Sequence, residues 1–352
     1  MWHKIDREKY CVVLDEPELY VDNKSRGRSG HMSHAMVEFA PDTFIDFNSN
    51  CSPVRCKGHS AFGWIEYRIS NDAGKTYSEP RELPYSTEAL LNGVYTISVE
   101  KAVTWKDGRI VAFCLRNDTL HPVCCEPWFT PMVVISYDGG ESWSKPHEVS
   151  PYKGRIYDAL ERDGVIYMLQ FANDGAVKFT GNKKEDIYKL FVSLDGGESF
   201  EERSDIPLDA IGRGYGSLLF DGQGRLHMYA YNINAEREMD HMVSDDLGFS
   251  WSSAGACYLE KGIRNPQTAL IDGVYILHGR GEKEKGFVLY SSKDGYTWDE
   301  GVYLETEKKL CYYSNNIVLN DTDGGKYLLI QYSDAYDEAR VNVMHMRLKI
   351  TK

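Results

Sequence analysis

The chain repeats one pattern of apolar and polar positions along most of its length. Six times, an apolar segment leads into a short turn and a second apolar segment, which is typical of an antiparallel β-hairpin. The paired segments span 34–47, 99–115, 157–171, 217–231, 268–278 and 316–332. Five of the turns are Asp-Gly, a strong hairpin signal because glycine adopts a positive φ easily, and the first is Pro41-Asp42. The pattern therefore predicts an all-β chain of six similar units.

A second repeat follows five of the six hairpins. Each copy reads Ser-x-Asp-x-Gly-x-Ser/Thr-aromatic, and the copies span 70–77, 136–143, 193–200, 244–251 and, one residue shorter, 292–298. The motif aspartates are separated by 66, 57, 51 and 48 residues (Asp72, Asp138, Asp195, Asp246, Asp294), near the length of a four-stranded propeller blade. We expect the Asp and Ser/Thr side chains to hydrogen-bond local backbone and the aromatic ring to pack between sheets. Together the repeats predict one domain over 1–352, a six-bladed β-propeller with four-stranded antiparallel blades.

The sixth unit lacks the turn motif and ends in an apolar segment, 341–348, that suits a strand. A propeller ring removes the exposed sheet edges when its last blade is completed by strand pairing. Two N-terminal segments, 10–14 and 18–21, are candidates for this closing strand.

The first strand of each predicted hairpin begins at the central funnel of a propeller, so the residues at these starts are candidate site residues. They are unusually polar for the starts of apolar strands. The candidate catalytic residues are Tyr313, Glu100, Asp158 and His34, and the candidate substrate-binding residues are Arg116, Arg264, Arg280, Arg213, His31 and Asn48. The histidines are candidates for proton transfer because imidazole titrates near neutrality.

Two pairs of charged residues lie symmetrically around hairpin turns. Glu100 and Arg116 flank the turn at 107–108, and Arg264 and Arg280 flank the turn at 272–273. We expect the members of each pair to lie side by side at the funnel. Neighbouring arginines repel each other unless an anion or a carboxylate lies between them, and a carboxylate is bound well by guanidinium groups. This arrangement predicts an acidic sugar as ligand.

The five turn motifs resemble the Asp-box repeats of the sialidase superfamily, and the resemblance extends over roughly residues 30–350. It implies the propeller fold and an activity on glycans. In sialidases three arginines bind the substrate carboxylate, a Tyr assisted by a Glu is the nucleophile, and an Asp is the acid/base. Tyr313-Ser314 is similar to the Tyr-Ser of the nucleophile, and Arg264 corresponds to one arginine of the triad.

Other positions depart from the sialidase pattern. Met32-Ser33-His34 stands where Arg-Ile-Pro is expected, and the loop 48–63 contains no Asp for the acid/base. The fourth unit has Tyr215 and Tyr231 where a Glu and a second Arg are expected. Asp boxes also occur in other glycosidases, in lyases and in non-catalytic propellers, so the motif alone does not define the reaction.

Three functions are therefore open from the sequence. The first is a glycoside hydrolase that removes a terminal acidic sugar, with Glu100 or Asp158 as a carboxylate catalyst and arginines binding the anion. The second is a polysaccharide lyase, in which His and Tyr eliminate across a uronate. The third is a non-catalytic propeller that binds a glycan or a protein. It predicts that Glu100, Asp158, His34 and Tyr313 need not converge.

Composition limits the classes of binding partner that we expect. The formal net charge of -13 argues against a broad basic face for nucleic acid. No stretch of 18 apolar residues occurs, and residues 1–13 lack the apolar region of a signal peptide, so we expect no membrane span and a cytoplasmic protein, or a secreted one if a leader was removed. The eight scattered cysteines suit reduced thiols, and the lone pair Cys51 and Cys56 is a weak zinc signal. We expect a carbohydrate partner and neither metal nor cofactor; a homo-oligomer stays open.

Overall fold

The computed structural model describes residues 3–30, 34–52, 62–120, 129–173, 180–304, 306, 308–309, 311–321, 324–337 and 340–352. The N-terminal segment forms β1 (His3–Asp6), β2 (Cys11–Leu14) and β3 (Glu18–Val21). The first blade contains β4 (Met36–Ala40), β5 (Thr43–Cys51), β6 (Gly63–Ser70) and β7 (Arg81–Glu82). A short helix, α1 (Pro84–Asn92), begins with proline and ends at Gly93, whose φ of 74° suits a glycine cap.

The remaining strands follow in blade order. The second blade contains β8 (Tyr95–Thr104), β9 (Ile110–Asp118), β10 (Met132–Ser136) and β11 (His147–Glu148). The third contains β12 (Gly154–Arg162), β13 (Val165–Ala172), β14 (Ile187–Ser193) and β15 (Glu201–Ile206). The fourth contains β16 (Arg213–Phe220), β17 (Leu226–Asn232), β18 (Glu238–Ser244) and β19 (Ser252–Tyr258). The fifth contains β20 (Ile263–Ile271), β21 (Val274–Gly281), β22 (Phe287–Ser292) and β23 (Val302–Leu304), and the sixth β24 (Cys311–Asn320), β25 (Lys326–Asp337) and β26 (Arg340–Thr351).

These strands form a closed ring of six antiparallel blades. In blades one to five the four strands pair in chain order, so the first strand of each is innermost. The innermost strands contact one another in sequence around the axis, and β24 of the sixth blade contacts β4 of the first. The fold is therefore the six-bladed β-propeller that the repeats predicted.

The N-terminal segment completes the sixth blade. β2 pairs with one end of β26, where Leu14 lies opposite Leu348, and β3 pairs with the other end, where Val21 lies opposite Val343. The two closing segments proposed from the sequence thus share the same edge. Tyr20 of β3 donates a hydrogen bond to Asp46 of the first blade, so it also links the first blade to the last.

The turn motifs make the same local hydrogen bonds in each of the five blades that contain them. In the first copy, Ser70 Oγ accepts from Gly74 N at 2.8 Å, and Asp72 Oδ1 accepts from Thr76 N at 2.9 Å. The aromatic residue that ends the motif packs on the preceding blade, as Trp143 does on Phe47 with ring centroids 5.8 Å apart. The motif thus joins neighbouring blades, and it lies at the end of the propeller away from the starts of the innermost strands. None of the helices in the described ranges is long and apolar enough to cross a membrane.

Candidate functional site

Each innermost strand of blades two to six carries one extra residue near its start. In β8 the pairing passes from Val99–Cys114 to Lys101–Phe113, so Glu100 is the extra residue of a β-bulge. The same irregularity occurs in the other four innermost strands, at Tyr157, Tyr215–Gly216, Asn265–Pro266 and Tyr312–Tyr313. Because a bulge turns a side chain out of the regular alternation, these residues can face the axis while the strand continues into the core.

The bulges create one pocket at the axis. Every blade contributes one of its lining side chains: His34, Glu100, Tyr157, Tyr215, Asn265 and Tyr313. Lys101, Arg155, Gly216, Gln267, Ser314 and Asn315 complete the lining. Tyr215 and Asn265 have φ values of 50° and 52°, and such strained backbone in non-glycine residues is concentrated at functional sites.

A buried ion pair forms one wall of the pocket. Arg155 is only 1% exposed, and its Nε donates to Glu100 Oε2 at 2.8 Å while its Nη2 donates to Oε1. Burial raises the pKa of Glu100, and the guanidinium of Arg155 opposes that rise. Bidentate geometry of this kind offsets the cost of removing two charges from water.

The expected pairing of Glu100 with Arg116 is wrong. Arg116 lies opposite Ile97, and its Nε donates to the carbonyl of Thr130 at 2.8 Å. The physical reason is the bulge in β8, which turns Glu100 towards β12 of the next blade. Arg155 instead supplies the guanidinium that this carboxylate contacts.

Three tyrosine rings surround Arg155. Its guanidinium carbon lies 5.4 Å from the ring centroids of Tyr157 and Tyr215 and 5.0 Å from that of Tyr313, within the range of cation–π attraction. The hydroxyl groups of Tyr215 and Tyr313 are 3.4 Å apart. Burial raises the pKa of Tyr313, and the nearby Arg155 counteracts part of this rise. The pocket therefore holds two neutral phenols in contact beside a fixed positive charge.

Arg264 and Arg280 lie opposite each other in the sheet, as expected from the sequence. Arg264 forms an ion pair with Glu236, which also accepts a hydrogen bond from Tyr231 at 3.0 Å. A carboxylate of the protein itself thus pairs with one of the two arginines. Arg280 lies 5.2 Å above the ring of Tyr312.

The other candidates lie at several places. Arg213 forms an ion pair with Asp240, with Nε 2.7 Å from Oδ2. Asn48 is buried in the first blade, where it donates a hydrogen bond to Asp46. None of the four arginines proposed as ligands, nor Asn48, lines the central pocket formed by the described residues. His31 and Cys56 lie outside the described residues.

Asp158 lies beneath the pocket rather than in it. Its Oδ1 is 3.0 Å from Lys101 Nζ, and its Oδ2 accepts from the backbone N of Leu218 at 2.7 Å and from Ser217 Oγ at 3.1 Å. It lines the channel that opens on the opposite side of the propeller. Of the four proposed catalytic residues, Glu100, His34 and Tyr313 therefore share the pocket, and Asp158 belongs to its floor.

Lys101 connects the polar side chains of this floor to one another. Besides Asp158, its Nζ donates to Gln267 Oε1 at 2.6 Å and to Asn315 Oδ1 at 2.9 Å. Asn315 in turn donates to the backbone carbonyl of Glu100 at 2.9 Å. Four blades thus meet in one buried polar cluster directly below the ion pair.

The site residues chosen from the sequence did not include Arg155, Lys101 or Ser314. Arg155 and Lys101 stand within or next to the polar strand starts, which is the signal that was available. In the residues that the structure describes, no group of three or more His, Cys, Asp or Glu could hold a metal ion.

Comparison with known proteins supports the fold. No protein-family model matches the chain, and no curated protein matches it. The solved structures that are similar include a protein of unknown function from Dyadobacter fermentans DSM 18053, with TM-score 0.72 and 15% identity over 97% of this chain and 99% of that one. A Hadza microbial sialidase, Hz136, has TM-score 0.68 and 14% identity over 94% and 68% of the two chains.

A Trypanosoma rangeli sialidase is also similar, with TM-score 0.65 and 14% identity. That match covers 91% of this chain but 53% of the sialidase, so this chain spans about half of its length. The protein thus has the six-bladed propeller fold found in sialidases and is divergent from them in sequence.

Proposed function

We propose that this protein is a glycoside hydrolase that removes a terminal acidic sugar from a glycan or oligosaccharide. The observation that carries the proposal is the single pocket in which Tyr313, Tyr215, His34 and the Glu100–Arg155 ion pair converge. A concave site with aromatic walls and a few fixed polar groups is suited to a sugar ring.

We assign Tyr313 as the nucleophile. Its phenol loses the proton to the Glu100 carboxylate while the phenolic oxygen bonds to the anomeric carbon and the glycosidic C–O bond breaks. We assign protonated His34 as the donor to the leaving oxygen. Water then attacks the anomeric carbon of the tyrosyl-linked sugar; one of its protons stays on the new sugar hydroxyl and the other passes to His34. Glu100 returns its proton to the departing phenolate, which restores the phenol. A positive Arg155 beside Tyr313 stabilises the negative charge that develops on the phenolic oxygen.

The acidic character of the substrate is supported by the charge at the axis. Arg155 and Lys101 both line the pocket, whereas Glu100 is the one carboxylate among the described lining residues. A neutral phenol suits an anionic substrate, because a carboxylate nucleophile would be repelled by the substrate carboxylate. The similar sialidase of Trypanosoma rangeli has been solved in complex with sialic acid, which supports the same class of ligand here.

One observation favours polysaccharide lyase activity as a second candidate. The Tyr215 and Tyr313 hydroxyls are 3.4 Å apart. One of them, after passing its own proton to the Glu100 carboxylate, can remove a proton from a uronate while the other phenol protonates the leaving oxygen. Glu100 then returns its proton to the phenolate that remains. Arg155 would then neutralise the uronate carboxylate.

The experiment is a screen of chromogenic glycosides and acidic oligosaccharides against the wild type and Glu100→Gln. We expect the wild type to release a reducing sugar and Glu100→Gln to lose at least about tenfold in kcat/KM, because the proton acceptor is gone. Arg237→Gln, which breaks an exposed ion pair with Glu282, is the matched control. Products that absorb as unsaturated uronides would indicate the lyase, and binding without any product would indicate a non-catalytic propeller.

A further inference from the structure

A chain of three hydrogen-bonding side chains lies behind the pocket wall at the junction of the fifth and sixth blades. Ser314 lines the pocket, and its Oγ is 3.0 Å from Nδ1 of His278. The other ring nitrogen of His278, Nε2, is 2.8 Å from Nδ2 of Asn316. None of these contacts is used by the catalytic assignment above.

The donor–acceptor direction of this series of hydrogen bonds follows from the groups around Asn316. Asn316 Nδ2 is also 3.3 Å from the backbone carbonyl of Thr268. A carbonyl oxygen only accepts hydrogen bonds, so the Asn316 atom that faces it is the NH₂ group. This group donates to His278 Nε2 as well, and Nε2 must therefore be the nitrogen without a proton.

His278 carries its one proton on Nδ1. The ring is fully buried, and burial, with the charge of Lys101 adding to it, lowers its pKa to about 3, so the imidazole is neutral. A neutral imidazole whose Nε2 accepts a hydrogen bond has its N–H at Nδ1. Nδ1–H thus donates to Ser314, and the Ser314 oxygen is an acceptor in this contact.

The hydroxyl hydrogen of Ser314 is then directed elsewhere. Within the described residues His278 is the one hydrogen-bond partner of Ser314 Oγ, and the pocket is the space that Ser314 borders. A hydroxyl that has accepted one bond is left with its hydrogen to donate.

We propose that Ser314 is a substrate-binding hydrogen-bond donor whose direction is fixed by Asn316 through His278. Its partner is an acceptor oxygen of the bound sugar, so the pocket favours a ligand that presents an acceptor oxygen at this point. Ser314 touches the ligand, and His278 and Asn316 are positioning residues. The inference rests on the proposed function for the nature of the ligand, but the direction of the chain does not depend on it.

The first arm of the test measures the tautomer of His278 by long-range ¹H–¹⁵N NMR, with the resonance assigned from its loss in His278→Gln. We expect the Nδ1–H form in the wild type. Asn316→Asp, which is nearly isosteric, replaces the donor with an acceptor and is expected to convert His278 to the Nε2–H form. Asn320→Asp, at the exposed end of the same strand, is the control with the same charge change.

The second arm measures binding of glucuronic acid and of N-acetylneuraminic acid. Ser314→Ala and Asn316→Asp are each expected to weaken binding about three- to tenfold, the range for one net hydrogen bond. The double variant is expected to be no weaker than Asn316→Asp, because both changes remove the same bond. If Asn316→Asp does not fold, Asn316→Ala removes the donor and is expected to weaken binding in the same direction.

An Nε2–H tautomer of His278 in the wild type would show that His278 does not donate a hydrogen bond from Nδ1 to Ser314. Wild-type affinity in both Ser314→Ala and Asn316→Asp would overturn the role of Ser314 as a donor. If neither sugar binds to the wild type, the acidic-sugar specificity of the proposed function and the assigned ligand of Ser314 both fail, while the tautomer still decides the direction of the chain.

Discussion

The ammonium group of Lys101 lies 3.0 Å from the carboxylate of Asp158 on the propeller axis, immediately below the pocket. Both side chains are nearly buried, with 12% and 3% of their side-chain surfaces exposed. The pair therefore separates the pocket from the channel on the opposite face and holds the innermost strands of two blades together. Several properties of the protein follow from such buried polar contacts between blades.

Removing Lys101 alone is expected to destabilise the protein strongly. Lys101→Met leaves the Asp158 carboxylate buried without its cation, which typically costs about 3–5 kcal/mol of unfolding free energy. Urea denaturation of Lys101→Met, Asp158→Asn and the double variant measures this cost. We expect the double variant to recover part of the lost unfolding free energy. A loss below about 1 kcal/mol in Lys101→Met would show that the Asp158 carboxylate is stable without the charge of Lys101.

The Arg155–Glu100 pair is expected to require the shape of the guanidinium and not only its charge. Arg155→Lys keeps the positive charge but cannot make both hydrogen bonds to Glu100. We expect it to lower kcat/KM about as much as Glu100→Gln does, with a double variant that is much less than additive. Purely additive losses in kcat/KM would mean that the two residues act separately.

The architecture was predictable because its signals are local. Asp-Gly hairpin turns and the five Ser-x-Asp motifs are read from a few adjacent residues, and their spacing gives the number of blades. The site was predictable only in part, because one extra residue near the start of the innermost strand in blades two to six reverses which side chains face the axis. Alternation in a regular strand cannot reveal that Glu100 contacts Arg155 of the next blade instead of Arg116 of its own.

Asp46 is expected to make the protein less stable as the pH rises. Burial raises its pKa to about 7 in the folded protein, against about 3.9 for an unfolded chain. The folded state therefore binds the proton more tightly, and this contribution is complete below about pH 4 and lost as the pH rises through about 7. Urea unfolding of the wild type and Asp46→Asn between pH 4 and pH 8 checks this.

We expect the difference in unfolding free energy between Asp46→Asn and the wild type to shift in favour of the variant across that interval. Asp22→Asn, which alters an exposed turn, is the control. A difference that stays constant with pH would show that Asp46 is ionised to the same extent in both states.

The contribution of His241 to stability is expected to change with pH in the opposite sense, so that it is lost as the pH falls. Burial, together with the adjacent His227, lowers its pKa to about 3, whereas an unfolded histidine titrates near 6.5. The stabilising contribution of the neutral ring is present above about pH 6.5 and is lost as the pH falls towards 3.

His241→Gln should therefore lose less stability than the wild type on acidification from pH 7 to pH 4, as measured by thermal or urea unfolding. The exposed His3 gives a matched control, His3→Gln, which is expected to follow the wild type. An equally steep decline in His241→Gln would assign the acid sensitivity to other groups.

Tyr313 is expected to perform the chemistry in the pocket on the propeller axis. The most direct measurement is kcat/KM of the wild type, Tyr313→Phe and the exposed control Tyr258→Phe on the most active acidic glycoside of the screen. Loss of the nucleophile is predicted to lower kcat/KM of Tyr313→Phe by at least about a hundredfold, with Tyr258→Phe unchanged and both variants folded. Activity of Tyr313→Phe within about twofold of the wild type would show that Tyr313 is not the nucleophile.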